Sequence, residues 1–254
     1  MNWLPTTVGN VAAVAAALWT APRWLVPFIA ARSRRCLYAV PAQDRIVALT
    51  FDDGPDAATT PAILRLLQEH DARATFFLIS RRVHGCKSIV ESVVDGGHEL
   101  GNHLTRDEPS ICLAPDVFAN GVREAGTVLA RFGTVRWLRP GSGWHNATML
   151  DTIEREGYRC ALGSIYPYDA HIPSAWLAAT YILANIRPGA VIILHEGGAR
   201  GRRTVDVLRR VLPVLRSRGY RVTTLSELEA AGRPRVEPER AAEYLCEELS
   251  ERMQ

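Results

Sequence analysis

Short apolar runs alternate with longer amphipathic segments along most of the chain. Bounded by polar or turn residues, these runs predict strands at 45–51, 74–79, 98–101, 134–139, 158–162, 190–195 and 221–225. The segments between them predict helices at 60–70, 86–95, 115–132, 146–156, 173–185 and 204–218. The alternation predicts an α/β fold with parallel strands, as a barrel or an open doubly wound sheet.

Three parts of the chain differ in composition. Residues 41–230 carry the alternating pattern without a linker or a repeat, which predicts one barrel domain. Residues 1–40 form an apolar N-terminal segment, and residues 231–254 carry Arg and Glu side chains that predict a solvated helix or tail. Apolar content of 47% and charged content of 22% are ordinary for a globular protein.

The apolar segment at residues 8–31 has three interpretations. Its only charge is Arg23, and its length suits a membrane span, although Pro22 and Pro27 interrupt it. A helix that packs its tryptophans on the domain or lies on a membrane surface also fits, as does a cleaved signal without the usual basic start. The compartment therefore stays open between cytoplasmic, membrane-associated and exported.

Charge and cysteine content exclude two classes of protein. The net charge is +3 and the body has no long basic tract, so we expect no nucleic-acid binding. The five cysteines are odd in number and never form a C-x-x-C pair. This pattern argues against a disulfide framework and against a cysteine zinc site.

Two adjacent carboxylates end the first predicted strand, in Thr50-Phe51-Asp52-Asp53-Gly54-Pro55. Neighbouring strand residues point to opposite faces, so Asp52 and Asp53 share one environment only if the strand ends there. At a strand end, one carboxylate can hold a cation while the other moves a proton. An acidic turn or a helix N-cap explains the same letters.

A histidine and a third carboxylate follow the strand at 98–101. One helical turn after that strand would aim His103 and Asp107, four residues apart, at one point. With Asp53 they form a ligand set suited to a divalent metal, although a surface i,i+4 pair has the same spacing. His98 is interpreted as a supporting or core residue, and Asn102 as a residue that orients the loop.

A glycine-rich turn follows the strand at 134–139. Arg139 closes that apolar strand and requires a carboxylate partner, for which Asp52 is a candidate. The turn at Gly141 and Ser142 can bring backbone N–H groups close to a bound oxyanion, or it can simply precede a helix. Trp144 is suited either to stacking on a sugar or to closing the core.

The strand at 190–195 delivers His195 to its C-terminal end. An imidazole there can act as a general acid if a carboxylate raises its pKa, and Asp169 is the candidate partner. A hydrogen-bonded structural histidine is the alternative. A parallel barrel places its chemistry at the C-terminal ends of its strands, where each of these polar clusters lies.

Taken together, the motifs resemble the polysaccharide deacetylase family of carbohydrate esterases, which includes chitin and peptidoglycan N-acetylglucosamine deacetylases. The resemblance covers about residues 45–227, in the order Thr-Phe-Asp-Asp-Gly-Pro, Gly-His-Glu-Leu-Gly-Asn-His, Arg-Pro-Gly and Leu-His. It implies a distorted (β/α)7 barrel. It also implies a metal-dependent hydrolase that removes N-acetyl groups from amino sugars of the chitin or peptidoglycan type.

The resemblance also implies a role for each residue of the motifs. Asp52 would be the general base, tethered by Arg139, and His195 the general acid, with its charge set by Asp169. The metal would be zinc, or cobalt or manganese. The implied ligands are Asp53, His103 and Asp107, and the residues implied to face the substrate are Gly141, Ser142 and Trp144.

Two departures from the family pattern matter. Asp107 stands where the family usually has a second histidine, so it either ligates, with a shift in metal preference, or caps a helix. The sequence after Arg139-Pro140-Gly141 lacks the usual second proline, which leaves the preferred polymer open. A cytoplasmic amidohydrolase of a small N-acyl sugar, a non-catalytic carbohydrate-binding relative and a membrane-associated deacetylase acting on a lipid-linked or surface sugar remain alternatives.

Overall fold

The computed structural model describes residues 4–232 and shows an α/β fold around one parallel sheet. The strands are β1 (Cys36–Leu37), β2 (Ile46–Gly54), β3 (Thr75–Leu78), β4 (Glu99–Asn102), β5 (Trp137–Leu138), β6 (Arg159–Ala161), β7 (Val191–His195) and β8 (Arg221–Thr223). The helices are α1 (Leu4–Arg32), α2 (Thr60–Glu69), α3 (Ser80–Val83), α4 (Lys87–Asp95), α5 (Pro115–Leu129), α6 (Ala147–Arg155), α7 (Ala175–Asn185), α8 (Gly198–Ser217) and α9 (Leu225–Ala231), with a short 3-10 turn at Ser110–Cys112.

The sheet curls into a distorted barrel. Its order is β1-β6-β5-β4-β3-β2-β7, with β8 also paired to β2, and each of these strand pairs is parallel. Single bridges from Ile165 to Ile192 and from Ala39 to Ala190 join the β6 and β1 end of the sheet to β7. The closed barrel is therefore the correct choice between the two folds that the sequence allowed.

Strand β2 is the centre of the barrel. All nine of its residues are buried, and it pairs with β3, β7 and β8. Such a strand, buried on both faces, reads as a continuous apolar run in the sequence. Because Asp52 and Asp53 lie near the C-terminal end of β2, and β7 ends beside them at His195, the C-terminal ends of the strands form one polar surface.

All seven predicted strands and all six predicted helices are confirmed, with shifts at their ends. Strand β1 was not predicted, because two residues are too few to show an alternating pattern. Its pairing with β6 defines it as a strand. Helix α8 begins at Gly198, six residues before the predicted start at 204. Its first turns hold Arg200, Arg202 and Arg203, which hide the apolar period there.

The N-terminal helix α1 continues through Pro22 and Pro27, so these prolines do not end it as expected. Trp19 packs on the domain, with its ring 5.1 Å from that of Tyr181 in an edge-on contact. Trp24 does not pack as expected, because its side chain is 53% exposed. Among the helices of residues 4–232, none combines the length and apolar character needed to cross a bilayer.

The boundaries at residues 40 and 230 stay predictions, and the predicted C-terminal tail lies almost wholly outside the described residues. Within those residues Cys36, Cys86, Cys112 and Cys160 are free thiols.

We predict that Gly101→Ala destabilises the barrel by about 1–3 kcal/mol, the usual cost of overpacking a core. Gly101 faces Phe77 on the neighbouring strand, and a methyl group on Gly101 would lie 2.4 Å from a carbon of that ring. Urea denaturation measures the loss. Gly85→Ala is the control, because its added methyl group meets no atom within 4 Å. Equal stability of the two variants would contradict this packing.

Candidate active site

Asp52 and Asp53 lie together at the end of β2 because the strand alternation breaks there. The pairing of β2 with β3 shifts register between Asp52 and Gly54, and Asp53 has a φ of 68°. Both carboxylates are buried. The bulge replaces the strand end that the sequence suggested, and it lets neighbouring residues serve the same surface.

Arg139 holds Asp52 in a buried ion pair. Its Nη1 donates to Asp52 Oδ1 at 2.5 Å and to Thr50 Oγ1 at 2.9 Å. The other donors reach the backbone carbonyls of Ala161 and Leu162, and the guanidinium lies 4.1 Å from the centre of the Phe77 ring. The predicted contact between Arg139 and Asp52 is therefore present, and it fixes the orientation of this carboxylate.

His103 faces Asp53 with its ring held from behind. The His103 Nδ1–H donates to the carbonyl of Arg139 at 2.7 Å, which leaves Nε2 3.4 Å from Asp53 Oδ1. Two ligands of one tetrahedral zinc ion at about 2.0–2.1 Å lie about 3.3–3.4 Å apart. A hydrogen bond that fixes the far nitrogen is also the usual support of a ligating histidine. These two residues therefore fit a divalent metal.

The electrostatics of Asp53 and His103 are coupled. Burial alone would raise the pKa of Asp53, but the hydrogen bond from His103 and the charges of His103, His195 and Arg200 lower that pKa to about 2. Burial would likewise lower the pKa of His103, but Asp52 and Asp53 outweigh it and raise that pKa. This site favours cationic partners for its carboxylates.

Asp107 does not follow the predicted path. The chain after β4 bends irregularly, with Leu104 at a φ of 60°, so no helical turn links His103 to Asp107. The Asp107 side chain is 38% exposed and accepts hydrogen bonds from Arg200 at 2.7 Å and Arg82 at 3.3 Å. Within residues 4–232, no three His, Cys, Asp or Glu side chains converge into a metal cluster. Ligation by Asp107 stays a prediction.

His195 and Asp169 form the predicted pair. The Nδ1 of His195 lies 3.1 Å from each carboxylate oxygen of Asp169, and the His195 backbone N–H donates to Oδ2 at 2.9 Å. Burial lowers the pKa of His195, but the bond to Asp169 and the charges of Asp169, Asp52 and Asp53 outweigh burial and raise it. The pairing of β7 with β2 places His195 directly opposite Asp52.

The glycine-rich turn offers fewer backbone N–H groups to an oxyanion than expected. The Gly141 N–H donates to Ser110 Oγ at 2.8 Å, so it is already engaged and is a poor oxyanion donor. Ser142 lies in the middle of the turn with a φ of 62°, and the Gly143 N–H closes the turn on the Pro140 carbonyl. Trp144 is 72% exposed, so the core alternative for this side chain is wrong.

The two supporting residues near the histidines behave as expected. His98 accepts from the Ala74 N–H at 3.2 Å, which makes it part of the strand framework. Asn102 donates to the Val122 carbonyl and accepts from the Leu104 N–H, so it orients the loop that carries His103.

Three residues of the site were not predicted from the sequence. Arg82 and Arg200 reach Asp53 and Asp107 from α3 and from the first turn of α8. Tyr166 lies against His195, with ring centres 5.7 Å apart. The arginine run after Gly198 was a signal, because cations at a helix N-terminus are unfavourable unless acidic groups face them.

The chain is similar in sequence to known deacetylases. The sequence model described as polysaccharide deacetylase matches residues 39–161. A peptidoglycan N-acetylglucosamine deacetylase of Bacillus cereus is 34% identical over 194 residues, which cover 75% of this chain and 91% of the relative. A chitooligosaccharide deacetylase of Azorhizobium caulinodans is 34% identical over 194 residues, which cover 70% and 92% respectively.

Solved structures agree with the fold. A peptidoglycan N-acetylglucosamine deacetylase superposes with a TM-score of 0.71 at 30% identity, covering 76% of this chain and 92% of that protein. An acetyl xylan esterase of Clostridium thermocellum, determined with a cobalt ion, superposes with a TM-score of 0.67 at 30% identity, covering 72% and 89%.

A buried carboxyl group, that of Glu196, lies beside the site. Glu196 follows His195, accepts from the Thr60 hydroxyl at 2.6 Å, and leaves Oε1 buried against Gly54 without a partner among the described residues. Burial is the main cause that raises the pKa of Glu196 to about 8, against the opposing bond from Thr60.

We predict that Glu196→Gln changes the pH dependence of stability. Between the ordinary pKa of a glutamate and about 8, folded wild type holds a proton that the unfolded chain releases, so the unfolding free energy falls as pH rises. The amide of the variant has no such proton to lose. Relative to this variant, wild type should lose about 2 kcal/mol between pH 6 and 8 in urea denaturation. Parallel curves would contradict the shift, and Glu69→Gln on α2 is the exposed control.

Proposed function

This chain belongs to the polysaccharide deacetylase family, and from that premise we propose that it is a metal-dependent hydrolase that releases acetate from N-acetylated amino sugars. The bond broken is a carbon–nitrogen bond that is not a peptide bond. Peptidoglycan and chito-oligosaccharides are the proposed substrate classes, since relatives named for each cover similar shares of the chain. The observation that carries the proposal is the opposition of Asp52 and His195 beside Asp53 and His103.

Asp52 is the proposed general base. Arg139 holds its Oδ1, so Oδ2 is the oxygen proposed to take a proton from the attacking water. A base must keep one orientation towards its proton, and the four hydrogen bonds of the Arg139 side chain supply that rigidity. The pair supports proton abstraction next to the acetyl carbon.

Asp53 and His103 are the proposed holders of the divalent metal, with Asp107 as a third ligand. The spacing of Asp53 and His103 fits one metal ion, and the chemistry of a carboxylate with an imidazole suits zinc, cobalt or manganese. When bound, such a cation polarises the acetyl carbonyl and lowers the pKa of a nearby water molecule towards about 7. The carboxylate of Asp53 and the Nε2 of His103 orient it.

His195 is the proposed general acid. Its Nδ1 is engaged by Asp169, so Nε2 is the nitrogen proposed to protonate the departing amine. The raised pKa of His195 favours the charged form that can donate this proton. Ser142 is the proposed backbone donor to the oxyanion in place of Gly141, and exposed Trp144 is the proposed stacking surface for a sugar ring.

Acetate release tests the proposal. Purified protein is stripped with a chelator, supplied with zinc, cobalt or manganese, and mixed with N-acetyl chito-oligosaccharides or peptidoglycan fragments. We expect acetate release that depends on the restored metal. Full activity of the stripped protein would contradict metal dependence, and no acetate with any substrate or metal would indicate a binding-only relative.

We predict that Asp52→Asn lowers kcat by about 10²–10⁴-fold, the usual contribution of a general base. The amide keeps the size of the side chain but cannot take the proton. Metal content by elemental analysis should stay near that of wild type, since Asp53 and His103 are intact. Wild-type turnover in the variant would exclude Asp52 as the base.

We predict that Asp169→Asn moves the alkaline limb of kcat/KM to lower pH. A general acid works below its own pKa, and removing the carboxylate removes the main group that raises the pKa of His195. The pH–rate profile is the measurement. Asp206→Asn, at an exposed pair with Arg209, is the control and should leave the limb in place. An unmoved limb in Asp169→Asn would exclude His195 as the acid.

A further inference from the structure

Arg200 occupies the space between the two carboxylates of the proposed metal site. Its Nη1 donates to Asp53 Oδ2 and its Nη2 donates to Asp107 Oδ2, both at 2.7 Å. One planar guanidinium therefore bridges Asp53, which faces His103, and Asp107, the proposed third ligand. Charge-assisted hydrogen bonds of this kind are roughly twice as strong as bonds between neutral groups.

The position of Arg200 in the fold is not explained by helix stability. Arg200 stands in the first turn of α8, which contains no acidic residue. The N-terminus of a helix carries a partial positive charge, so a cation there is destabilised. The turn at Gly197 and Gly198, both with positive φ, brings this arginine back over the end of β2. The carboxylates of the site supply the compensation.

The negative charge of the proposed ligands is already balanced. Asp53 and Asp107 bring two negative charges. Arg200 pairs with both carboxylates at 2.7 Å, while Arg82 pairs with Asp107 at 3.3 Å and donates to the backbone carbonyl of Asp53. A divalent cation beside Asp53 would face the Arg200 guanidinium on the same carboxylate. Like charges at such separations repel strongly where the surroundings are partly buried.

We infer that Arg200 is an internal cation that competes with the divalent metal for Asp53 and Asp107, and so sets the metal affinity of the site. The inference rests on the metal-dependent function proposed above. While Arg200 bridges the two carboxylates, it holds Asp53 Oδ2 and Asp107 Oδ2, and Asp53 Oδ1 and His103 Nε2 are the atoms that face each other, 3.4 Å apart, at the proposed metal position. Asp107 joins them only when the guanidinium leaves.

The side chain of Arg200 has room to leave. It is 35% exposed, and a long flexible arginine at the rim can move into solvent without unfolding α8. Loading of the metal therefore requires the exchange of one cation for another. Wild-type protein accordingly binds the metal more weakly than the same ligands would without Arg200.

Metal titration tests this inference without measuring activity. Chelator-stripped wild type, Arg200→Ala and Arg202→Ala are titrated with cobalt chloride and zinc chloride by calorimetry, with circular dichroism to verify folding. Arg202 is an exposed neighbour on the same helix, so its loss gives the same net charge. We expect Arg200→Ala to bind both metals at least about tenfold more tightly than wild type, a difference of roughly 1.4 kcal/mol, and Arg202→Ala to match wild type.

A double variant shows whether Asp107 is involved. In an Asp107→Ala background, removing Arg200 should give a smaller gain, because the released carboxylate is absent. A full gain there would overturn the bridging role. Measurable binding with equal affinities in wild type and Arg200→Ala would overturn the inference alone and leave the proposed function intact. The absence of binding in every variant would overturn both.

Discussion

The buried ion pair between Arg139 and Asp52 is the interaction on which the site depends. Arg139 enters from the end of β5, reaches the carbonyls of Ala161 and Leu162 at the end of β6, and ends on Asp52 of β2. It therefore ties strands from both sides of the barrel to one carboxylate. Removing one partner of such a buried pair typically costs about 3–5 kcal/mol, because the other charge is left unpaired. The contacts that stabilise this pair therefore also fix the orientation of the Asp52 carboxylate.

Around this pair, different strands of the barrel contribute the chemical groups of the proposed site. The Arg139 backbone carbonyl fixes the His103 ring, which turns Nε2 towards Asp53, while β7 places His195 opposite Asp52. A single arginine thus positions Asp52, the proposed base, with its side chain and the imidazole of His103 with its main chain. The C-terminal ends of the strands bring these groups together, although long stretches of sequence separate them.

The strands, the barrel and the positions of the proposed acid and base could be predicted from the sequence because each leaves a local signal. Asp52 and His195 end apolar strands, and such endings are visible without a structure. The partners of Asp107 were not predictable in this way. Its pairing with Arg200 depends on the register of distant elements and on an irregular bend after His103, and no period in the sequence encodes either. The run of arginines at the start of α8 indicated only that acidic groups face this helix end, without showing which ones.

The proposed chemistry depends on a metal held by Asp53 and His103 next to Asp52, the proposed base. Anomalous diffraction from cobalt-loaded crystals tests it directly, since the metal position is read without reference to activity. We expect one cobalt peak at bonding distance, about 2 Å, from both a carboxylate oxygen of Asp53 and Nε2 of His103, with the Arg200 guanidinium withdrawn from Asp53. A peak elsewhere, or none at this site in a loaded crystal, would contradict the account.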